Sequence, residues 1–431
     1  MNIIEDLTKR NILKQITNTD LQDHLQKESR TLYCGFDPTA DSLHVGSLFP
    51  LLTLKRFQNA GHTPIAVVGG ATGIVGDPSG KTSERPLLDL EQLQLNLKGI
   101  ESVIKKFLSF EGKNTAKIVN NADWFQPFSY LGFLRDVGKH FTVNHMLGKE
   151  SVRTRLQDRD HGISYTEFSY MLLQAYDYYH LHKNANCTLQ IGGSDQWGNI
   201  TAGCELIRRM NALEEKTSAP AYGLTHPLVM KADGSKFGKT ESGTIWLDSK
   251  KTSPYQFYQF WIQTSDDDII HFLDYFSFQS IEQINDLKQK VKTEPHLRAA
   301  QKSLAEEMTV MVHGEEELKN VIAASGALFG SSLQDLDSHT LLDVFSETPS
   351  THKEKKSPVL LIDLLVETGL CPSKGQARKD IKAGGIYLNN ERTQDPEKQI
   401  KENDLIDQVF LILRKGKKNY HVVQFSGQGS L

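Results

Sequence analysis

The sequence predicts an α/β protein: a mostly parallel sheet covered by helices, then a helical region, then a small α+β region. Three observations predict it. Up to about Asp248, short apolar runs alternate with helical patterns: Pro64-Ile65-Ala66-Val67-Val68-Gly69-Gly70 precedes a long polar helix from about Leu90, and Ala116-Lys117-Ile118-Val119 precedes further helices. From about Ser253 to Leu336 apolar residues recur three or four apart, as in Ile269-Ile270-His271-Phe272-Leu273. Beyond Leu360, two short helical patterns lead into Gly384-Gly385, Ile386-Tyr387-Leu388 and an Asn389-Asn390 turn, the signs of a small sheet. The boundaries that follow are 1–250 for the sheet domain, 251–336 for the helical domain, 337–357 for a linker, 358–424 for the α+β domain and 425–431 for a tail.

The first domain carries the chemistry. Tyr33-Cys34-Gly35-Phe36-Asp37-Pro38-Thr39-Ala40-Asp41-Ser42-Leu43-His44-Val45-Gly46-Ser47 reads as a strand running into a helix whose first turn holds His44 and Gly46. A helix start favours phosphate oxygens because its unpaired N–H groups and positive dipole end face outward, and Gly46 removes a side chain that would hold a ligand away. Far along the chain, Lys231-Ala232-Asp233-Gly234-Ser235-Lys236-Phe237-Gly238-Lys239-Thr240 places lysines and a threonine in a Gly-rich loop rather than in regular structure. Mobile ammonium groups there would offset charge that grows on a departing pyrophosphate. In open parallel sheets ligands lie beyond the carboxyl ends of the strands, and Gly35, Gly69-Gly70 and Gly192-Gly193 all follow apolar runs, so these segments are expected to converge on one edge.

The stretch from Ser346 to Ser357 has almost no apolar content and reads as a flexible linker. After it, Ser373 is placed to cap a helix on which Lys374, Arg378 and Lys382 recur at helical spacing with Lys379 beside them. That basic face is either solvated or a contact for RNA phosphates.

At 431 residues, 38% of them hydrophobic and 24% charged, the chain is long enough for two or three domains with real cores. Met1 to Asp20 lacks a signal-peptide core, and no run of about 18 apolar residues occurs, so a membrane span is excluded and the cytosol is expected. Cys34, Cys187, Cys204 and Cys371 show no paired spacing, which points to neither a disulfide framework nor a zinc site. Net charge is −4, unevenly spread: residues 351–431 hold 14 Lys and Arg against 10 Asp and Glu, a basic excess that suggests where a polyanion would dock.

Together with Glu167-Phe168-Ser169-Tyr170-Met171-Leu172-Leu173-Gln174-Ala175-Tyr176-Asp177 and Leu189-Gln190-Ile191-Gly192-Gly193-Ser194-Asp195-Gln196-Trp197-Gly198-Asn199, these segments closely resemble bacterial tyrosyl-tRNA synthetases, in order and at about the family's spacing. His44-Val45-Gly46-Ser47 stands for the HIGH signature and Lys236-Phe237-Gly238-Lys239-Thr240 for KMSKS. The resemblance implies a Rossmann-like catalytic domain of class I, a helical anticodon-arm-binding domain and a terminal RNA-binding domain of the ribosomal-protein S-four type. It implies activation of L-tyrosine by ATP to tyrosyl-adenylate and pyrophosphate, then transfer to the terminal adenosine of tRNA(Tyr). Magnesium is expected to arrive with ATP, and no dedicated metal site is expected. No protein nucleophile is needed, since positioning and charge stabilisation suffice.

By the same resemblance, His44 and Thr39 meet ATP phosphates, and Lys236, Lys239 and Thr240 stabilise the leaving pyrophosphate, with Lys81 and Arg85 adding cationic cover. Asp37, Asp195 and the backbone at Gly35 and Gly193 hold the adenylate, with Gly46 and Ser47 on the ATP side. Tyr33 and Asp177 take the substrate phenol, Tyr170, Gln174 and Asp77 its ammonium group, and Gln196 lies near the carboxylate. Tyr170, Gln174 and Asp177 are four and three residues apart, so one helix face presents all three. A polar row among Met171, Leu172 and Leu173 needs a partner. Phenylalanine would leave the phenol-reading groups unpaired, which allows selection without an editing domain.

Ser47 departs from the last histidine of HIGH, and Phe237, Gly238 and Thr240 from the methionine and serines of KMSKS, while both lysines remain. A nucleotidyltransferase acting on a small molecule would not need the basic terminal region. A tryptophan-activating relative would need an indole pocket. An RNA-binding protein that had lost catalysis would tolerate erosion of His44, Lys236, Lys239, Asp77 and Asp195, all of which are present. A homodimer is implied, formed through the apolar and aromatic stretch from Phe128 to Met146.

Overall fold

In the computed structural model, six strands form the sheet in the order β1-β6-β5-β2-β3-β4. They are β1 (Gln15–Ile16), β2 (Thr31–Phe36), β3 (Thr63–Val68), β4 (Lys117–Asn120), β5 (Cys187–Gly193) and β6 (Tyr222–His226). Only β1 runs antiparallel to its neighbour. The structure describes residues 2–79, 89–157, 162–213, 219–235, 237–240, 243–327, 333, 338–346, 348–354, 359–416 and 419–426, without the side chains of 150, 151, 157, 239, 240, 327, 338 and 339.

The central strands are apolar throughout because helices cover both faces: β3 buries Ile65 to Val68 and β5 buries Cys187 to Gly192. Four helices matter for the site: α1 (Val45–Asn59), α2 (Leu90–Phe107), α3 (Tyr165–Ala185) and α4 (Trp197–Leu213). Asp89 and Ser164 cap α2 and α3 by accepting from Gln92 and Glu167 backbone N–H groups, and Asn186 ends α3 in the left-handed region at φ 49°. α2 buries Leu93, Asn96, Leu97, Ile100, Val103, Ile104 and Phe107, a stripe at helical spacing that contains one amide among apolar groups. The strand order turns back between β2 and β5, the position where such sheets open a crevice at the strand ends.

Residues 1–251 and 264–304 make one compact unit, and 252–263 with 305–431 a second. In the second, β9 (Ser350–Glu354), β10 (Val359–Leu360), β11 (Ile386–Leu388), β12 (Glu391–Thr393), β13 (Gln399–Ile400), β14 (Phe410–Lys415) and β15 (Asn419–Ser426) form two sheets. The larger has the order β12-β11-β14-β15-β9, and β10 pairs with β13. Its apolar side packs on α5 (Leu361–Glu367) and α6 (Lys374–Lys382) through Leu361, Leu365, Ile381, Leu411, Leu413 and Val423. The Asn389-Asn390 turn joins β11 to β12 with φ 47° and 66°, the doubly positive geometry that asparagine tolerates.

One expectation is corrected here. The stretch read as a flexible linker contains β9, which lies parallel to β15 from Ser350 to Glu354. Polar residues serve because the strand is at the sheet's margin: its burial alternates between exposed and intermediate, and Thr351 bonds the His421 ring at 2.8 Å. Among the described residues, no helix is long and apolar enough to cross a membrane.

Candidate active site

The carboxyl ends of β2 and β5 open into a cleft of about 470 Å³ in the first unit. Strand β2 brings Tyr33, Gly35 and, just beyond its end, Asp37 and Thr39; the start of α1 brings His44, Gly46 and Ser47. α3 contributes Tyr170, Gln174 and Asp177 from one face. Gly193, Asp195 and Gln196 follow from β5, and Asp77 from the loop beyond β3. All fourteen of these sequence-predicted residues therefore line one space. Lys81, Arg85 and Lys236 lie outside the described residues, as do the side chains of Lys239 and Thr240. The backbone of Lys239–Thr240 is a short strand, β7, paired with β8 (Gly243–Thr244), where the sequence suggested an irregular loop.

At one end of the cleft the Tyr33 side chain is 1% exposed, and its hydroxyl has no hydrogen-bond partner among the described residues. Burial pushes its phenol well above the usual range, with the Asp177 carboxyl adding to the effect. Asp177 accepts from the indole N–H of Trp124 at 2.8 Å and from the Asn121 amide at 3.2 Å. Desolvation nevertheless raises its carboxyl to about 8, the two hydrogen bonds opposing the shift. Asn121 also accepts from the Ala71 backbone N–H at 2.7 Å, and Trp124 stacks on His180, so both donors are held in place.

The middle of the cleft is an amide and carboxylate network. Gln196 donates to Asp77 at 2.7 Å and accepts from Gln174 and Asn199, each at 3.2 Å; Asn199 also donates to Gln174 at 2.9 Å. The Tyr170 hydroxyl donates to Asp37 at 2.8 Å, and the Thr72 hydroxyl to the other Asp37 oxygen at 2.9 Å. Asp195 is raised by burial and then by the Asp77 charge, two carboxylates in one partly dry site.

The ATP-side helix start differs from expectation. His44 sits at the N-cap of α1, not in its first turn, and its Nδ1 accepts from the Gly46 N–H at 2.9 Å. The first amides are occupied: Val45 donates to Ile245 O at 3.0 Å and Ser47 to His44 O at 2.8 Å. The Val45, Gly46 and Ser47 N–H groups are therefore not bare toward the cleft, and the helix start acts there through its dipole end. Glycine is needed at 46 for a different reason from the one the sequence suggested, because a Cβ there would lie 2.6 Å from the His44 ring.

The comparisons with known proteins agree. The family profile described as "tRNA synthetases class I (W and Y)" matches residues 25–330, and "Tyrosine--tRNA ligase SYY-like C-terminal domain" matches residues 340–423. A tyrosine-tRNA ligase of Staphylococcus carnosus is 52% identical over 424 residues, covering 98% of this chain and 99% of the relative. One of Geobacillus kaustophilus is 53% identical over 428 residues, covering 99% and 100%. The chain belongs to the tyrosine-tRNA ligase family. A truncated Aspergillus nidulans mitochondrial tyrosyl-tRNA synthetase structure is similar at TM-score 0.66 and 30% identity, over 74% of this chain and 92% of that one.

For a tyrosine-tRNA ligase, sequence reasoning missed Asn121, Trp124, Asn199 and Thr72. Asn121 follows the carboxyl end of β4, the same sheet edge as the glycine signals, and so was findable; Asn199 sits on α4 in the quoted segment after Gly193. Nothing in the local sequence marks Trp124 as a donor to a residue on another helix.

Proposed function

We propose that the cleft binds L-tyrosine with its phenol between Tyr33 and Asp177 and ATP along Asp37, Thr39, His44 and Ser47, and that tyrosyl-adenylate forms there. Tyrosine-tRNA ligases join tyrosine to tRNA(Tyr) at the expense of ATP. In the first step a tyrosine carboxylate oxygen attacks the α-phosphorus and pyrophosphate leaves; in the second the terminal adenosine hydroxyl displaces AMP. The observation that carries the reading is the buried Tyr33 hydroxyl, which has no partner among the described residues, since such a group costs stability unless a ligand completes it. A phenol fits: it accepts from Tyr33 and donates to Asp177.

Tyr170, Gln174 and Asp77 then receive the ammonium group, Gln196 orients the carboxylate, and Asp195 with Asp37 accepts from ribose hydroxyls beside the Gly35 and Gly193 backbone. Lys236, Lys239, Thr240, Lys81 and Arg85 cover the pyrophosphate, and Mg²⁺ arrives on ATP. In the second unit, the two helices packed on a small sheet support an S-four-type RNA-binding domain. Its exposed Lys374, Arg378, Lys379 and Lys382 lie on or beside one helix, with Lys374 now paired to Asp363 at 2.7 Å and Arg378 near Glu397 at 3.8 Å. Contact with RNA exchanges those surface pairs for phosphates. Exposed Tyr130, Leu131 and Val143 favour a homodimer through residues 128–146. The working compartment is the cytoplasm.

Amino-acid-dependent ATP–pyrophosphate exchange without tRNA tests the activation step. Exchange is expected with tyrosine and not with phenylalanine or tryptophan; no exchange with any of the three overturns the reading.

A further inference from the structure

The loop that carries Asp37 and Thr39 is not held by the sheet alone. Its backbone rests on α2, a helix that contributes no residue to the cleft. Asn96, 1% exposed, donates from Nδ2 to the Pro38 carbonyl at 2.9 Å. Its Oδ1 accepts from the exposed Gln92 at 2.8 Å, so both ends of the amide are satisfied and its orientation is fixed. One turn further, Gly99 lets the loop touch the helix directly: a Cβ there would lie 1.9 Å from the Asp41 carbonyl oxygen. Leu93, on the same face, packs near Gly73, whose own missing Cβ makes room for the Pro38 ring.

We propose that Asn96 and Gly99, with Gln92 behind them, are positioning residues for the ATP half of the site. They fix the height of residues 38–41 and so the places of Asp37 and Thr39. The chemistry is specific. Pro38 is buried and carries no N–H, so at this point the loop offers α2 an acceptor, and Asn96 answers it with one donor. An apolar residue at 96 would pack equally well in the stripe and leave that carbonyl unmatched. The phenol end of the cleft is anchored mainly on other elements, with Tyr33 on β2 and Asp177 held by Asn121 and Trp124; its links to the loop run through Asp37, which accepts from Tyr170 and from Thr72, itself bonded to Asn121 at 3.0 Å. A loosened loop, whose contacts with α2 lie on residues 38–41, therefore weakens ATP more than it disturbs the phenol pocket.

This inference rests on the assignment of ATP to that half of the cleft, and the test keeps the two apart. Exchange kinetics are measured for the unaltered enzyme, Asn96→Ala, Gln92→Ala and Gly99→Ala, with tyrosine binding followed by equilibrium dialysis in the absence of ATP. Asn96→Ala should raise the KM for ATP about fivefold to fiftyfold, the loss of one covered hydrogen bond. The dissociation constant for tyrosine should stay within about twofold. Gln92→Ala, at an exposed position that folding does not depend on, should raise the KM for ATP in the same direction by about twofold to threefold. Gly99→Ala should do so more strongly than either. A KM for ATP unchanged in both Gln92→Ala and Asn96→Ala overturns the inference while leaving the ATP site standing; so does a parallel loss of tyrosine affinity. Absence of tyrosine-dependent exchange in the unaltered enzyme removes the assignment beneath it.

Discussion

Replacing Tyr33 with phenylalanine should move folding and binding in opposite directions. The ring is 1% exposed and packs at 5.4 Å from Tyr178, contacts that phenylalanine keeps. Only the hydroxyl is lost, and among the described residues it has no partner. An unmatched buried polar group costs about 1–3 kcal/mol, so the substitution should stabilise the ligand-free fold by up to that amount. With tyrosine bound the same hydroxyl donates to the substrate phenol, a neutral hydrogen bond with a net value of about 0.5–1.5 kcal/mol. The dissociation constant for tyrosine should therefore rise by at least about 2-fold to 12-fold, and further by whatever the ligand-free fold gains. Urea unfolding without ligand and a tyrosine titration on the same preparations read both quantities. Phenylalanine never used that hydroxyl, so its weak binding should not fall and discrimination should narrow. A variant that is less stable than the parent, or that binds tyrosine equally well, would refute the reasoning.

Asp177→Asn should show a pH-dependent effect on stability. The Asp177 carboxyl, raised by burial to about 8, keeps its proton in the folded chain where the unfolded chain has released it near 4. Its contribution to stability is thus full below about pH 4 and is lost as pH rises through about 8, by at most about 1.4 kcal/mol per unit. The variant should gain on the parent between pH 5 and pH 8 in urea midpoints; a constant difference would count against the shift. Glu167→Ala breaks a buried ion pair, since Glu167 and Arg155 meet at 2.9 Å with side chains 1% and 2% exposed, and should cost up to about 3–5 kcal/mol in denaturant unfolding. Neutralising Lys374, Arg378, Lys379 and Lys382 together should raise the KM for tRNA and leave pyrophosphate exchange untouched. An equal loss in both would contradict a purely RNA-facing role.

The parallel sheet and the cleft at its edge were legible because both rest on local signals: apolar runs of strand length, and glycines where the backbone turns at the strand ends. The row Tyr170, Gln174 and Asp177 was legible because helical spacing alone puts these residues on one face. The occupied amides at the start of α1 were not. They depend on Ile245, two hundred residues away, and on a histidine ring folding back to cap its own helix. Trp124 and Asn96 were hidden for the same reason, since each acts on a carbonyl or carboxylate that only tertiary packing brings within reach. The strand at 350–354 escaped because its polar alternation, suited to a sheet margin, has the composition of a linker.

That strand also sets an order of events. β9 has a single described neighbour, β15, and the pairing joins residues 350–354 to 422–426. During synthesis β9 is made first and must wait, without a ladder, while helices α5 and α6 and the hairpin at Asn389-Asn390 form from contacts close in sequence. Its parallel register closes a long stretch of chain, the slow kind of contact, and so should be among the last formed and the first released. In hydrogen exchange the amides of β9 should therefore report the loosening of this region before those of β11 and β14 do.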